Sequence, residues 1–356
     1  MIRLLDTPDH PAWDAYVQAH PLGGAYLAMA WKQAVEQGYG HQTRYLAAFQ
    51  DGIPAGVLPL VRIKPPLPGP LPGPLPGLMG RPRLISLPFC DYGGLVADDP
   101  TIAQALLDRA VGLARELGAG LEIRCPAPSQ AIATHGGFAQ VTDKCRMLLD
   151  LPESADSLWA GFKSKLRSQV NRAGRDGLVC KLGQAELLAD FYQVFTRNMR
   201  DLGSPVHGLS WLKSVLGAYG RRARVGVVYA GDVPAAAGII LAHGDAVAIP
   251  WASALRAYNR LSPNMLLYWT FLQYAADSGF SVFDFGRSTP GEGTYAFKKQ
   301  WGAKPMPLAW YRLGTALTRE RADKGGSRRV VEAVWQRLPL AVANTLGPRL
   351  RKYVDR

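Results

Sequence analysis

ARVGVVYAGDVPAAAGIILA (residues 223–242) reads as a β-hairpin: two apolar runs joined through Gly231-Asp232, with Pro234 just inside the second run. The same pattern stands at RYLAAFQDGIPAGVLPLVRI (residues 44–63), where Asp51-Gly52 makes the turn and Pro54 lies 180 residues before Pro234. Two hairpins of one design predict an internal duplication. The segments that follow agree. DDPTIAQALLDRAVGLARELG (98–118) and LSPNMLLYWTFLQYAADSG (261–279) each predict a helix, with Asp99 and Ser262 as N-caps, Pro100 and Pro263 at the first helical position, and Gly118 and Gly279 as stops. A short apolar strand comes after each, LEIRC (121–125) and SVFDFG (281–286).

The offset falls from 180 at the hairpins to 163 between Pro100 and Pro263, so the first copy carries about 17 extra residues between hairpin and helix. PPLPGPLPGPLPGLMGR (65–81) has that length. Proline and glycine at this density predict an extended, solvated excursion that makes neither ladder nor helix. Each repeat thus reads hairpin, third strand, helix, strand. The third strand of the second copy, around Val247 to Ala254, contains Pro250, which cannot donate to a ladder and marks an irregularity. A mixed sheet with helices on its faces makes an α/β unit, and a strand pair that splays there opens a cleft of the kind that binds ligands.

A chain of 356 residues, 48% apolar and 19% charged, fits two globular domains. Its net charge of +13 favours an anionic partner: nucleic acid, anionic lipid, or a phosphate-bearing substrate. Cys90, Cys125, Cys145 and Cys180 form no C-x-x-C pair, which argues against a zinc site or a disulfide framework and for a reducing compartment. No metal ligand set or Ser-His-Asp order suggests a metalloenzyme or hydrolase. MIRLLDTPDHPAWDAY (1–16) has acids and proline where a signal peptide needs an apolar core, and no apolar run reaches the length of a membrane span. The expected location is the cytoplasm, with any membrane contact made from its surface.

Between the copies, DSLWAGFKSKLRSQVNRAGRDG (156–177) places Leu158, Trp159, Phe162, Leu166 and Val170 at helical spacing, with Lys163, Lys165, Arg167, Arg172 and Arg175 around them. This is either an amphipathic surface helix or a phosphate-facing helix beside the cleft. The last segment, SRRVVEAVWQRLPLAVANTLGPRLRKYVDR (327–356), sets Val330, Val331, Val334, Trp335 and Leu338 on one helical face. From Thr315 onward there are ten Lys/Arg against four Asp/Glu, so this tail either packs on the second domain or lies on an anionic bilayer.

Four stretches carry a family resemblance: AYLAMAWKQAVEQGYGHQTRYL (25–46), SLPFCDYGG (86–94), NRLSPNMLLYW (259–269) and FDFGRSTPGEGTYAFKKQWG (283–302). Together they resemble the FemAB family, and more narrowly the FemAB-related proteins of exosortase/PEP-CTERM systems, from about Pro21 to Leu313. The Pro-rich insertion departs from that pattern. The resemblance implies an α/β fold of two tandem domains of the GCN5-related N-acetyltransferase (GNAT) type, each a mixed central sheet flanked by helices. The expected boundaries are 1–150 for the first domain, 151–314 for a second, catalytic one, and 315–356 for the basic tail. It also implies acyl transfer to an amine on an envelope glycan, exopolysaccharide or peptidoglycan precursor. Acyl-CoA or aminoacyl-tRNA would be the co-substrate, with no tightly bound cofactor. RLSPNM (260–265) lacks the R/Q-x-x-G-x-G/A phosphate loop of acetyl-CoA users, and Pro263 removes an N–H from the helix start.

The family's Phe-Lys falls on Phe297 and Lys298, which makes Lys298 the expected catalytic cation, facing an oxyanion or a phosphate. Asp284, mid-strand among aromatics, is either a base for the amine proton or a partner fixing Arg287 or nearby backbone. Arg287, at the strand end, can fork onto phosphate or carboxylate. Tyr295, Phe297 and Trp301 offer ring faces for a base or sugar. Lys299, Ser288 and Asn264 complete the expected donor-binding set, and Asp91 and Tyr92 either line an acceptor pocket in the first copy or form a turn. His207 is a loop contact or a structural histidine. The competing reading for the whole chain is a non-catalytic basic module that binds tRNA or anionic lipid.

Overall fold

Both proline-bearing hairpins form, and both carry the same irregularity. The computed structural model describes residues 1–5, 9–68, 79–313 and 327–354. In it β3 (Leu46–Gln50) pairs with β4 (Ile53–Leu58), and β14 (Ala223–Ala230) with β15 (Val233–His243). The register skips one residue at Ala55 in the first pair and at Ala235 in the second, each directly after the proline that cannot donate.

The chain divides into two units: Met1–Lys144 with Pro307–Val334 and Arg349–Arg356, and Cys145–Met306 with Trp335–Pro348. The first unit holds a sheet in the order β1 (Ile2–Leu4), β3, β4, β9 (Val96–Ala97). Its other sheet runs β11 (Phe138–Gln140), β19 (Ala309–Leu313), β10 (Gly120–Cys125), β8 (Arg83–Ile85), β5 (Val61–Ile63), β2 (Gln42–Thr43). Helices α1 (His10–Ala19), α2 (Met29–Tyr39), α3 (Pro100–Glu116) and α4 (Gln130–His135) surround them. Leu106, Leu107 and Ala110 of α3 pack in one core with Leu46, Leu58, Leu84 and Ile123 of the strands.

The second unit is one seven-stranded sheet: β13 (Leu178–Gly183), β14, β15, β16 (Ala246–Ala254), β17 (Val282–Ser288), β12 (Cys145–Asp150), β18 (Lys304–Pro307). Its helices are α5 (Ala155–Gly161), α6 (Ser164–Arg175), α7 (Leu188–Asp201), α8 (Leu209–Tyr219), α9 (Pro263–Asp277) and α10 (Gly293–Lys299). Leu267, Phe271, Leu272 and Ala275 of α9 share a core with Val228, Ile240, Val247 and Phe283. Gly226 and Gly238 let α9 come this close: a Cβ on either would stand under 3 Å from the Phe271 ring.

Several sequence expectations need correction. The boundaries at 150/151 and 314/315 each miss a strand, because β12 joins the second unit's sheet and β19 the first's. The ends of the Pro/Gly run do make a ladder: β6 (Leu67–Pro68) pairs in parallel with β7 (Met79–Gly80). A strand uses only alternate groups toward one neighbour, so proline is tolerated there; residues 69–78 lie outside the described residues. The stripe from Leu158 to Val170 is two helices, since the chain leaves helical geometry at Phe162 and Lys163, just after Gly161. Lys163, Lys165, Arg172 and Arg175 are nonetheless exposed while Leu166 and Val170 are buried. Asp99 caps α3 as expected, its side chain accepting from Ile102 N–H at 2.9 Å, but Ser262 adopts a left-handed backbone and makes no capping bond.

In the tail, α11 (Ser327–Gln336) exposes Val330 (63%) and Val334 (55%) and buries Trp335. In α12 (Leu340–Arg351), Gly347 and Pro348 lie against Val206 and Gly208 of the second unit, and Arg200 Nη1 donates to Leu338 O. Residues 314–326 lie outside the described residues. None of the helices, among the described residues, is long and apolar enough to cross a membrane.

Candidate active site

The sheet of the second unit opens at one place. The parallel ladder between β16 and β17 runs through Ala246↔Val282, Val247↔Phe283 and Ala248↔Asp284, and stops there although both strands continue. From that point β16 stays with β15 as far as Ala254, while β17 stays with β12 as far as Ser288. A bulge lies on each strand where they part. Ile249 and Pro250 oppose the single residue Ile240, and Phe285 and Gly286 oppose the single residue Met147. Gly286 has φ +74°, a backbone that L side chains rarely adopt. The expected irregularity at Pro250 is thus one half of a two-sided parting of the ladder.

A bulge strips backbone groups of their ladder partners, and polar side chains of residues 284–298 replace them. Asp284, 3% exposed, accepts from Gly286 N–H at 2.8 Å through Oδ1. Its Oδ2 lies 3.8 Å from Arg146 Nε on β12. Lys298, 8% exposed on α10, donates from Nζ to Gly286 O at 3.1 Å and Arg287 O at 2.8 Å. Asp284 and Lys298 therefore meet at the backbone of Gly286 and Arg287. The arginine that faces Asp284 is Arg146, which the sequence reading missed. A buried acid inside an apolar strand demands a cation, and a basic residue on a neighbouring strand was the available signal.

The other expected residues stand in different surroundings. Arg287 is half-buried at the strand end, and Ser288 is buried with an Oγ that has no hydrogen-bond partner among the described residues. Tyr295 and Phe297 are half-buried; Phe297 meets the edge of Tyr268 at 4.9 Å, and exposed Lys299 lies 5.9 Å from the Tyr295 ring centre. Asn264 is half-buried in the first turn of α9. Trp301, 1% exposed, packs against Phe162 and Tyr268, so its ring belongs to the core and offers no face to a base or sugar. Tyr268 itself stacks on Phe285 at 5.6 Å, and burial pushes its phenol well above the ordinary range. His207 is buried between Phe195, Trp211 and Trp251, a structural position.

Asp91 and Tyr92 belong to the first unit. Asp91 O accepts from Trp310 Nε1 at 2.9 Å, and buried Tyr92 meets Tyr26 edge-on at 5.2 Å.

Residues 160–299, which contain β16, β17 and Lys298, match the family model of the acetyltransferase (GNAT) domain. Among solved structures, that of FemX covers 90% of this chain and 99% of its own at 16% identity, with a TM-score of 0.68. The C-terminal domain of a protein described as a lysylphosphatidylglycerol synthetase, from Agrobacterium fabrum, covers 92% and 96% at 14% identity and TM-score 0.56. A tandem GNAT protein from the clavulanic acid biosynthesis pathway covers 88% and 97% at 13% identity and TM-score 0.54. No curated protein matches the chain. The fold is accordingly that of two tandem GNAT-like domains, each built on mixed sheet flanked by helices.

Proposed function

We propose that the chain is an N-acyltransferase that moves an acyl or aminoacyl group onto an amine of a cell-envelope glycan, exopolysaccharide or peptidoglycan precursor. The observation that carries this reading is the parting of β16 and β17 at Ala248 and Asp284, inside the stretch that matches an acetyltransferase domain. The amine nitrogen attacks the acyl carbonyl carbon, a C–N bond forms, and the C–S bond of a CoA thioester or the C–O bond of a tRNA ester breaks. The proton lost by the amine ends on the departing thiol or ribose hydroxyl. Positioning both reactants lowers the barrier by roughly 7–11 kcal/mol in favourable cases.

Lys298, with its ammonium tied to the Gly286 and Arg287 carbonyls, sets a positive field at the end of β17 that acts on the developing carbonyl charge from a distance, without touching the substrate. The unpartnered Ser288 Oγ is a donor within the same strand end, and Arg287 can take a phosphate or carboxylate of either substrate. Asp284 already holds Gly286 N–H and faces Arg146, which suits it to a supporting role. The start of α9 favours a donor other than tightly gripped CoA: Ser262 N–H is bonded to Asn259 O, and Pro263 has no N–H to offer a pyrophosphate. FemX and the synthetase-like neighbour support aminoacyl transfer as the nearer chemistry. The net charge of +13 suits tRNA and anionic acceptors, and exposed Val330 and Val334 on the basic tail support peripheral contact with an anionic bilayer at its cytoplasmic face.

The test is direct. The purified chain is incubated with aminoacyl-tRNA or acyl-CoA and amine-bearing envelope precursors, and products are read by mass spectrometry. A new amide with matching release of tRNA or CoA supports the reading. No product from any donor, together with tRNA or vesicle binding, would favour the non-catalytic module.

A further inference from the structure

The duplication supplies an internal control for the parting. In the first unit β8 and β10 pair in parallel through Arg83↔Gly120, Leu84↔Leu121 and Ile85↔Glu122, which matches Ala246↔Val282, Val247↔Phe283 and Ala248↔Asp284 in the second. Glu122 therefore stands where Asp284 stands, a buried acid in the last pair of the ladder. Each faces an arginine from the antiparallel strand beside it, Arg312 of β19 in one copy and Arg146 of β12 in the other.

Past that pair the copies diverge. The first copy fills the gap with its own chain, the loop 86–95. Ser86 N donates to Glu122 O at 2.9 Å, Arg124 N to Ser86 Oγ at 2.6 Å, and Gly93 N to Arg124 O at 3.0 Å. The loop lies so close to β10 that a Cβ on Gly94 would stand 2.7 Å from Arg124 O. It holds Leu87 and Phe89 at φ +60° and +70°, strained for such residues, so many contacts must fix its path. In the second copy the corresponding backbone groups, two places beyond the acid, are those of Gly286. Among the described residues these are served by side chains: the N–H goes to Asp284 Oδ1 and the C=O to Lys298 Nζ.

We infer that Arg146, Asp284 and Lys298 form a clamp that replaces the loop of the first copy and holds β17 on its bulged course, apart from β16. Lys298 and Asp284 are then positioning residues, and Arg146 is a third. Arg146 orients the Asp284 carboxylate, the carboxylate fixes Gly286 N–H, and the ammonium ties two successive carbonyls. The consequence for turnover rests on the acyl-transfer reading; the clamp itself does not.

Hydrogen exchange on the full chain tests it without any substrate. Lys298→Met and Arg146→Met should each raise amide exchange across residues 283–289 by roughly tenfold or more, while α3 in the first unit keeps its protection. Lys298→Arg and Arg146→Lys should restore most of it. With substrates, both Met variants should lose turnover together with donor affinity. Loss of turnover in Lys298→Met with unchanged exchange would overturn the proposal and make the lysine a group that touches substrate. Unchanged exchange in Arg146→Met would remove Arg146 from the clamp, and raised exchange with full turnover would break the link to catalysis. Should Lys298→Met not fold, Asp284→Ala, which removes both the acceptor of Gly286 N–H and the charge facing Arg146, reads the carboxylate's part of the clamp: raised exchange supports the clamp and unchanged exchange overturns it. Failure of the wild-type chain to transfer any acyl group would count against the function alone, with exchange still judging the clamp.

Discussion

A Cβ at Gly286 would sit on a backbone with φ +74°, which costs an L-residue roughly 1–2 kcal/mol. Gly286→Ala should therefore lower unfolding free energy by about that amount in chemical denaturation, and lower turnover more than the stability loss explains, because the bulge sets the course of β17. Ser288 predicts the opposite pairing of effects. Its buried Oγ has no partner among the described residues, and an unsatisfied hydroxyl costs about 1–3 kcal/mol. Ser288→Ala should leave thermal stability unchanged or higher while transfer falls, as expected of a hydroxyl kept for a ligand. A variant that is less stable and fully active would show that the hydroxyl serves the fold.

At the level of single elements, the two matched helix starts behave differently. Asp99 makes its capping bond and Ser262 does not, so Asp99→Ala should destabilise by about 1 kcal/mol. Ser262→Gly should be neutral or stabilising, because φ +56° suits glycine better than serine. Comparing the two melting curves checks both. These helices also show what the sequence made legible. Pro54, Pro234, Pro100, Pro263, Gly118 and Gly279 act on their own backbone, so hairpins, helix starts and helix ends could be placed within a few residues. Which sheet a strand joins is decided by distant partners. That is why β12 and β19 were assigned across the wrong boundaries, and why Arg146, 138 residues before Asp284, went unnoticed. Likewise the family resemblance points to Lys298, but its two carbonyl partners depend on a bulge that no local signal announces.

The end of the chain adds a pH dependence to the first unit. His41 Nε2 lies 2.7 Å from Lys352 O, and burial holds the ring below the ordinary histidine range despite that bond. As pH falls, the unfolded chain takes up this proton first, at about pH 6.5, so the contribution of neutral His41 is complete above that value and is lost below it. Melting temperature should fall as pH drops below about 6.5, and less steeply in His41→Gln, measured by circular dichroism.

For the molecule as a whole, the duplication raises the question of how many donors one chain can hold. Two tandem domains suggest two, yet among the described residues the first copy has its own loop hydrogen-bonded into the gap beyond its ladder. In the first, Ser86 and Gly93 already occupy the Arg124 N–H and C=O, and the Arg124 guanidinium lies 4.2 Å over the Trp310 ring, bonded to Glu122. Opening that gap would strip several buried hydrogen bonds and an ion pair at once, each costing about 1–3 kcal/mol, more than a weakly held donor returns. Titration calorimetry with a non-hydrolysable aminoacyl-tRNA analogue or acyl-CoA analogue should accordingly give one site per chain. Gly286→Ala should weaken that site, whereas Gly94→Ala, which disturbs the plug in the first unit, should reduce stability and leave the count at one. A stoichiometry of two in the wild-type chain would mean that the first copy opens after all, and that the loop 86–95 is a gate.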